Sequence, residues 1–252
     1  MDNIKDLPPL YYINLDERVD TNSYMEKLLE TYNIKGHRIS AINGKLDNSS
    51  LLYQKIIPPR LRPTEIACTL SHLTAIRYWL TTSDTETALI CEDDISFDTV
   101  YNWTFTWNEM VSKLPYYWDI LQCSITYHPK KPAMFSLHPR QHTDFSTVCY
   151  LINRTYAKKL MSLYYINDTW KLDYSGILPL TAEEVLYRPG VCFSIPLFTF
   201  TNEFDSSIQT KEHMNMYHVP SRKFIIDMWK QIKPQHDLFS LQSVITFPPF
   251  SK

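Results

Sequence analysis

The stretch "TALICEDDISFD" (87–98) runs from an apolar segment, Ala88 to Cys91, straight into three consecutive carboxylates, Glu92, Asp93 and Asp94. No lysine or arginine follows until Lys113. A short apolar run of this kind reads as a strand buried on both faces. Such a strand delivers its terminus to a fixed point, and carboxylates held together there repel one another unless a cation joins them. The plainer reading is a solvated turn, or a cap on the next helix.

Working outward, "LYYINLD" (10–16) reads as a buried strand that stops in charge, with an amphipathic helix over "VDTNSYMEKLLETY" (19–32) behind it. "HRISAINGK" (37–45) reads as a second short strand ending in an Asn-Gly turn. A proline-bearing link leads into a helix over "TEIACTLSHLTAIRYWL" (64–80), capped by Thr64 and striped by Ile66, Leu70, Leu73, Ile76 and Leu80. Beyond the acidic cluster we expect a helix within 98–113, strands in "WDILQCSITY" (118–127) and "TVCYLINR" (147–154), and a helix over "TYAKKLMSLYY" (155–165). Strands alternating with helices predict an α/β domain, with a mostly parallel central sheet covered on both faces. Ligands of such sheets gather at the carboxyl ends of the strands, where both "YYINLD" and "ALICEDD" carry their polar residues. We expect one domain over 1–252, with an α/β core to about 195 and an irregular wrapping segment or lid over about 196–252.

Composition narrows the function. With 252 residues, 44% hydrophobic and 21% charged, the chain has the make-up of a globular enzyme. A net charge of −2 argues against a nucleic-acid partner. No apolar run reaches the ~20 residues of a membrane span. The N-terminus lacks a cationic start followed by a long apolar region, so a cytoplasmic or host-cytoplasmic site is expected, with a trimmed luminal chain as the alternative. The five cysteines are odd in number, widely spaced and mostly in apolar surroundings, which fits reduced thiols. Four N-x-S/T sequons, at Asn48, Asn102, Asn153 and Asn167, are weak signs of secretion in a chain this rich in Asn, Ser and Thr.

If the acidic cluster binds a cation, the oxygen donors select a hard one, Mg²⁺ or Mn²⁺, which leaves positions for substrate phosphates. No Cys/His pattern with zinc spacing competes. Neither glycine-rich phosphate loop occurs, so a bound phosphate would rely on metal and side chains.

"YYINLDER", "RISAINGK", "EIACTLSHLTAI", "ALICEDD" and "TVCYLINRTYAKKLM" follow one another in this order. Together they resemble glycosyltransferase family 25, which includes lipopolysaccharide galactosyltransferases and collagen galactosyl- and glucosyltransferase-like enzymes. The likeness covers roughly residues 10–190. It implies a glycosyltransferase fold of the A type, a UDP-hexose donor, Mn²⁺ (or Mg²⁺) and inversion at the anomeric carbon. The acidic cluster then corresponds to the family's Asp-x-Asp motif. Asp94 is the expected metal ligand, Glu92 meets the ribose or donor sugar or joins the metal, and Asp93 touches either.

The resemblance carries further residues with it. Tyr12, Ile13 and Asn14 should border the uridine, and Arg18 could face the diphosphate, while Thr21 stands where a second arginine is usual. Ala41 and Gly44 fit an A-x-x-G segment. Ser71 and His72 match a Ser-His pair with a donor-site role, although a histidine on a helix is also readily a core residue. Inverting transfer needs a base for the acceptor hydroxyl. Glu183 in "LTAEEVLY" (180–187) is the first candidate, with Glu184 and Asp173 behind it. These glutamates could instead favour a helix start through its dipole. Asp205, His213 and His218 in the tail are candidates to complete the metal shell. The acceptor would be a glycan or a hydroxylysine-bearing protein. Two rival readings stay open. One is a metal-dependent phosphohydrolase using the same carboxylates. The other is a non-catalytic carbohydrate-binding protein derived from a transferase, using some of the 6 Trp and 17 Tyr.

Overall fold

The computed structural model describes residues 2–46, 61–172, 181–232, 236–242 and 244–250. The chain begins with strand β1 (Leu10–Asn14), helix α1 (Val19–Tyr32) and strand β2 (Gly36–Ser40). Helix α2 (Pro63–Thr82), β3 (Thr87–Glu92), the short β4 (Ile95–Ser96) and α3 (Trp107–Ser112) follow. Next come β5 (Ile120–Ser124), the two-residue β6 (Ala133–Met134) and β7 (His138–Pro139), then β8 (Cys149–Asn153) and α4 (Arg154–Tyr164). After the small hairpin of β9 (Tyr165–Ile166) and β10 (Thr169–Trp170) come α5 (Ala182–Tyr187) and the long β11 (Cys192–Phe200). A single turn α6 (Lys211–His213), a π-turn over Met214–His218, α7 (Val219–Gln231) and β12 (Thr246–Phe247) complete the described tail.

The central sheet has the order β2-β1-β3-β8-β5-β11-β4, with β7 also paired to β11. Strands β2, β1, β3, β5 and β11 run one way, and β8 runs against its neighbours β3 and β5. The sheet is thus mixed α/β and mostly parallel in strand direction. Alternate residues of each central strand go to opposite faces. Leu89 and Cys91 join a core with Met25 and Leu29 of α1 and with Phe224, Ile225 and Trp229 of α7. Ala88 and Ile90 join a second core with Ile66, Leu70, Leu73 and Ile76 of α2, Leu160 of α4 and Val185 of α5. Helices on both faces explain why the strand residues are apolar without a polar alternate.

Some local expectations shift. Helix α2 starts at Pro63, whose fixed φ suits a first helical position, so Arg62 holds the cap position and Thr64 lies inside the first turn. Within 98–113 the helix is short. Thr106 starts it anew, its backbone N–H donating to Glu109 (2.7 Å) while the Glu109 N–H donates back to the Thr106 hydroxyl (3.3 Å). Upstream, Trp103 and Phe105 stack on each other and pack near Trp229. Asn153, one of the sequons, accepts from Tyr156 N–H to cap α4 and donates to the Trp118 carbonyl. Strand β11 carries the sheet across the boundary expected near 195, because its residues from Phe193 to Phe200 are buried. All five cysteines are free. Among the described residues no helix is long and apolar enough to cross a membrane.

Candidate active site

The strand alternation that builds the two cores continues into the acidic cluster. The Glu92 backbone N–H donates to the Val148 carbonyl (2.9 Å), fixing the end of β3 against the start of β8. Glu92 then faces α2, and Asp93 faces α1.

On the α1 side, the Asp93 carboxylate accepts from the Thr21 hydroxyl (2.6 Å) and the Asn14 amide (2.7 Å). Both donors are buried. Arg38 Nε donates to Asn14 Oδ1 (2.7 Å), which fixes the amide with its nitrogen towards Asp93. Burial raises the Asp93 pKa above the usual carboxylate value, and the bonds from Thr21 and Asn14 work against that rise. Arg18 faces the tail, donating to the Asp205 carbonyl (3.0 Å).

On the α2 side, Glu92 accepts from the Thr147 hydroxyl (2.8 Å), with His72 Nε2 at 3.5 Å. The other ring nitrogen of His72 lies 3.3 Å from the hydroxyl of Tyr150, which is wholly buried. Burial pushes the Glu92 carboxyl up, but His72 and the Thr147 hydrogen bond bring it below the ordinary range. Cys68 lies one turn before His72, and burial followed by the charges of Glu92 and Glu183 raises its thiol pKa well above the usual value. Ser146, just before Thr147, has φ 110°, a costly conformation for a residue with a Cβ. It is held there by several bonds. Its N–H donates to Glu183 (3.3 Å), and its carbonyl accepts from Tyr187 (3.1 Å) and Gln122 (2.9 Å).

Asp94 faces neither set. Its carbonyl accepts from Thr201 N–H (2.7 Å), while its Oδ1 is buried without a hydrogen-bond partner. Burial, then the charges of Glu92 and Asp93, push its pKa well above the carboxylate range. In the tail, His213 Nδ1 is also buried without a partner. The His213 ring lies 5.5 Å from that of His218, which packs edge-on against Phe200 at 5.2 Å. Burial first, and then the neighbouring His213, lower the His218 pKa to about 4, with Glu92 opposing. The buried Asp94 oxygen, lacking a partner, suits a hard divalent cation.

A cleft opens at these strand ends. It is lined by Ile13, Leu15 and Arg18, by the 41–45 loop, by Thr64, Cys68, Ser71 and His72 of α2, by Glu92 and Asp93, and by Ser207 and Ile208 of the tail. A Cβ on Gly44 would lie 2.5 Å from the Pro63 carbonyl oxygen, so only glycine lets this loop close onto α2. Ser71 Oγ accepts from Ile42 N–H (2.9 Å) and ties the loop to the helix.

Of the expected residues, Ile13, Arg18, Ser71, His72, Glu92 and Asp93 line the cleft, and Asn14 stands behind Asp93. Tyr12 does not, since its ring belongs to the α1-side core and its hydroxyl donates to Asn22 (3.0 Å). Glu183 lies by the loop before β8, Glu184 sits beside it in the first turn of α5, and Asp173 lies outside the described residues. Thr147, the buried hydroxyl of Thr21, and the tail residues Ser207 and Ile208 were missed by sequence reasoning. Cys68 carried a signal, because it stands four residues before His72 and so shares its face of the helix.

The profile described as Glycosyltransferase family 25 (LPS biosynthesis protein) matches residues 7–174, more than half of the chain. The chain belongs to glycosyltransferase family 25. Membership implies a nucleotide-sugar donor and a glycan acceptor. A search of curated proteins finds no match. Among solved structures, the chain is similar to a glycosyltransferase involved in the glycosylation of the major capsid of PBCV-1, at 8% identity and TM-score 0.42, covering 89% of this chain and 98% of that one. It is also similar to A197 from STIV (9% identity, TM-score 0.41, 81% of this chain and 100% of that one). A third likeness is to the inositol-1-phosphate CTP transferase from T. maritima (10% identity, TM-score 0.35, 83% and 94%). Similarities this low leave function to the family match and to the site.

Proposed function

We propose that this chain is a metal-dependent inverting hexosyltransferase, moving galactose or glucose from a UDP-sugar to a hydroxyl of a glycan or hydroxylysine-bearing protein. The observation that carries this reading is the buried, unpartnered Asp94 oxygen, next along the chain from Glu92 and Asp93, which line a cleft at the carboxyl ends of the sheet's parallel strands. Asp94, with His213 and His218 of the tail as further candidate ligands, would hold Mn²⁺ or Mg²⁺, which when bound supplies Lewis-acid relief of charge on the departing diphosphate. Ile13 borders the nucleoside, and Arg18 and Lys45 bring positive charge to the cleft wall. Glu92 accepts from hydroxyls of the ribose or donor sugar. Glu183 takes the proton of the acceptor hydroxyl as that oxygen attacks opposite the diphosphate. Its place by the loop before β8 is across β3 from Arg18, which suits an acceptor side distinct from the nucleotide side.

The test is UDP release from a panel of UDP-sugars without acceptor, with Mn²⁺ and then with chelator. Release from UDP-galactose or UDP-glucose that stops with chelator is expected. Inorganic phosphate as the product would make the chain a phosphohydrolase. Absence of both release and metal-dependent UDP binding would overturn the transferase reading.

A further inference from the structure

Cys68 and His72 share one face of α2, and Glu92 reaches the same point from the end of β3. Their ligating atoms, one sulfur, one imidazole nitrogen and one carboxylate oxygen, all lie within 4.8 Å of one another. We propose that these three side chains form a binding site for a thiophilic divalent cation, zinc first of all, in the cleft wall and separate from the Asp94 position.

Bonds of about 2.0–2.3 Å to nitrogen, oxygen and sulfur bring tetrahedral zinc ligands somewhat closer together than 4.8 Å, so small side-chain movements complete the site. Two of the ligands are already oriented from behind. Tyr150 engages one ring nitrogen of His72 and leaves Nε2 towards Glu92, while Thr147 holds Glu92 Oε1. Such outer partners fix ring orientation and raise ligand affinity. All three ligands line the cleft, which gives the cation an entry path and leaves its fourth position for water. Charge balances as well. As the zinc–sulfur bond forms, the Cys68 proton leaves to solvent, and thiolate plus carboxylate neutralise the dication beside a neutral imidazole. Sulfur in the donor set selects zinc over Mn²⁺ or Mg²⁺.

Occupancy would engage Glu92. On the transferase reading, zinc then competes with the donor sugar, a consequence that rests on that reading although the binding does not.

The experiment titrates the metal-free full chain with Co²⁺ as a spectroscopic stand-in and then displaces it with Zn²⁺. A thiolate-to-cobalt charge-transfer band at one equivalent is expected. The band should vanish in Cys68→Ser, with zinc affinity at least about 100-fold weaker, and Tyr150→Phe should weaken zinc about 10- to 100-fold. Asp94→Asn should keep the band. Thermal melts confirm that each variant is folded, and if Cys68→Ser is not, His72→Gln and Tyr150→Phe carry the test. No band in the folded parent chain, or an undiminished band in folded Cys68→Ser, overturns the proposal. A band together with no UDP release keeps this site and sinks the transferase reading alone.

Discussion

The two faces of the sheet treat neighbouring carboxylates in opposite ways. On the α1 face, Asp93 is gripped by two buried neutral donors, Asn14 and Thr21, and Arg38 acts on Asn14. On the α2 face, Glu92 meets groups that exchange protons or bind metals, His72 and Cys68. One residue of offset along a strand turns the side chain to the other face, so two adjacent acids acquire different chemistry from one backbone. The α1 half is built to hold its shape, and the α2 half to exchange ligands. Asp94, where the alternation stops, belongs to neither and keeps an oxygen without a partner.

The largest effect should come from that third carboxylate. Asp94→Asn should lower turnover about 1000-fold in saturating Mn²⁺, the size of loss seen when a pre-set electrostatic partner of a leaving group is removed. Without metal, the same variant should melt no lower than the parent at neutral pH. The folded Asp94 pKa is raised, so the folded chain binds the proton more tightly. Its stabilising share is present below the unfolded value and is lost as pH rises through the folded one. Asparagine removes that loss. A variant that melts well below the parent without metal would mean that Asp94 has a partner after all, and the three-way contrast would collapse.

The next effect tests the two faces directly. Thr21→Val leaves the buried Asp93 with one donor fewer, at a cost of about 1–3 kcal/mol. Thr147→Val removes a donor from Glu92, which still opens onto the cleft and still has His72, so about 1 kcal/mol or less is expected. Urea unfolding at fixed pH measures both. Thr147→Val costing more than Thr21→Val would reverse the assignment of shape to one face and exchange to the other.

Much of this was legible in the sequence, and the reasons differ by region. The strand "ALIC" ending in acid located the site because burial on both faces leaves no polar alternate. The helix over Pro63–Thr82 declared itself through its apolar stripe, although Pro63 moved its start. Thr21 read as a missing arginine, because a motif records what is usual at a position and not the hydrogen bond a substitute can make. Thr147 gave no signal, since its meaning depends on β8 pairing antiparallel with β3, a long-range contact. The segment from about 196 reads as irregular, yet the sheet shifts register between Ser194 and Phe198 there and continues as β11.

The smallest predicted effect concerns the tail, the third side of the site. His218 is held neutral, its pKa lowered to about 4 by burial against Phe200 and then by His213. Between that value and the ordinary 6.5, the unfolded chain binds the proton and the folded chain does not. Stability from this group is therefore full above about 6.5 and falls as pH drops towards 4. Its share should be on the order of 1 kcal/mol, since the ring is partly open to solvent. His218→Gln should flatten that part of the stability–pH curve in metal-free chain, and acid unfolding of parent and variant side by side reads the difference. A parallel pair of curves would mean that His218 is solvated in the free protein. The tail would then bring His218 up to Glu92 only with ligand bound.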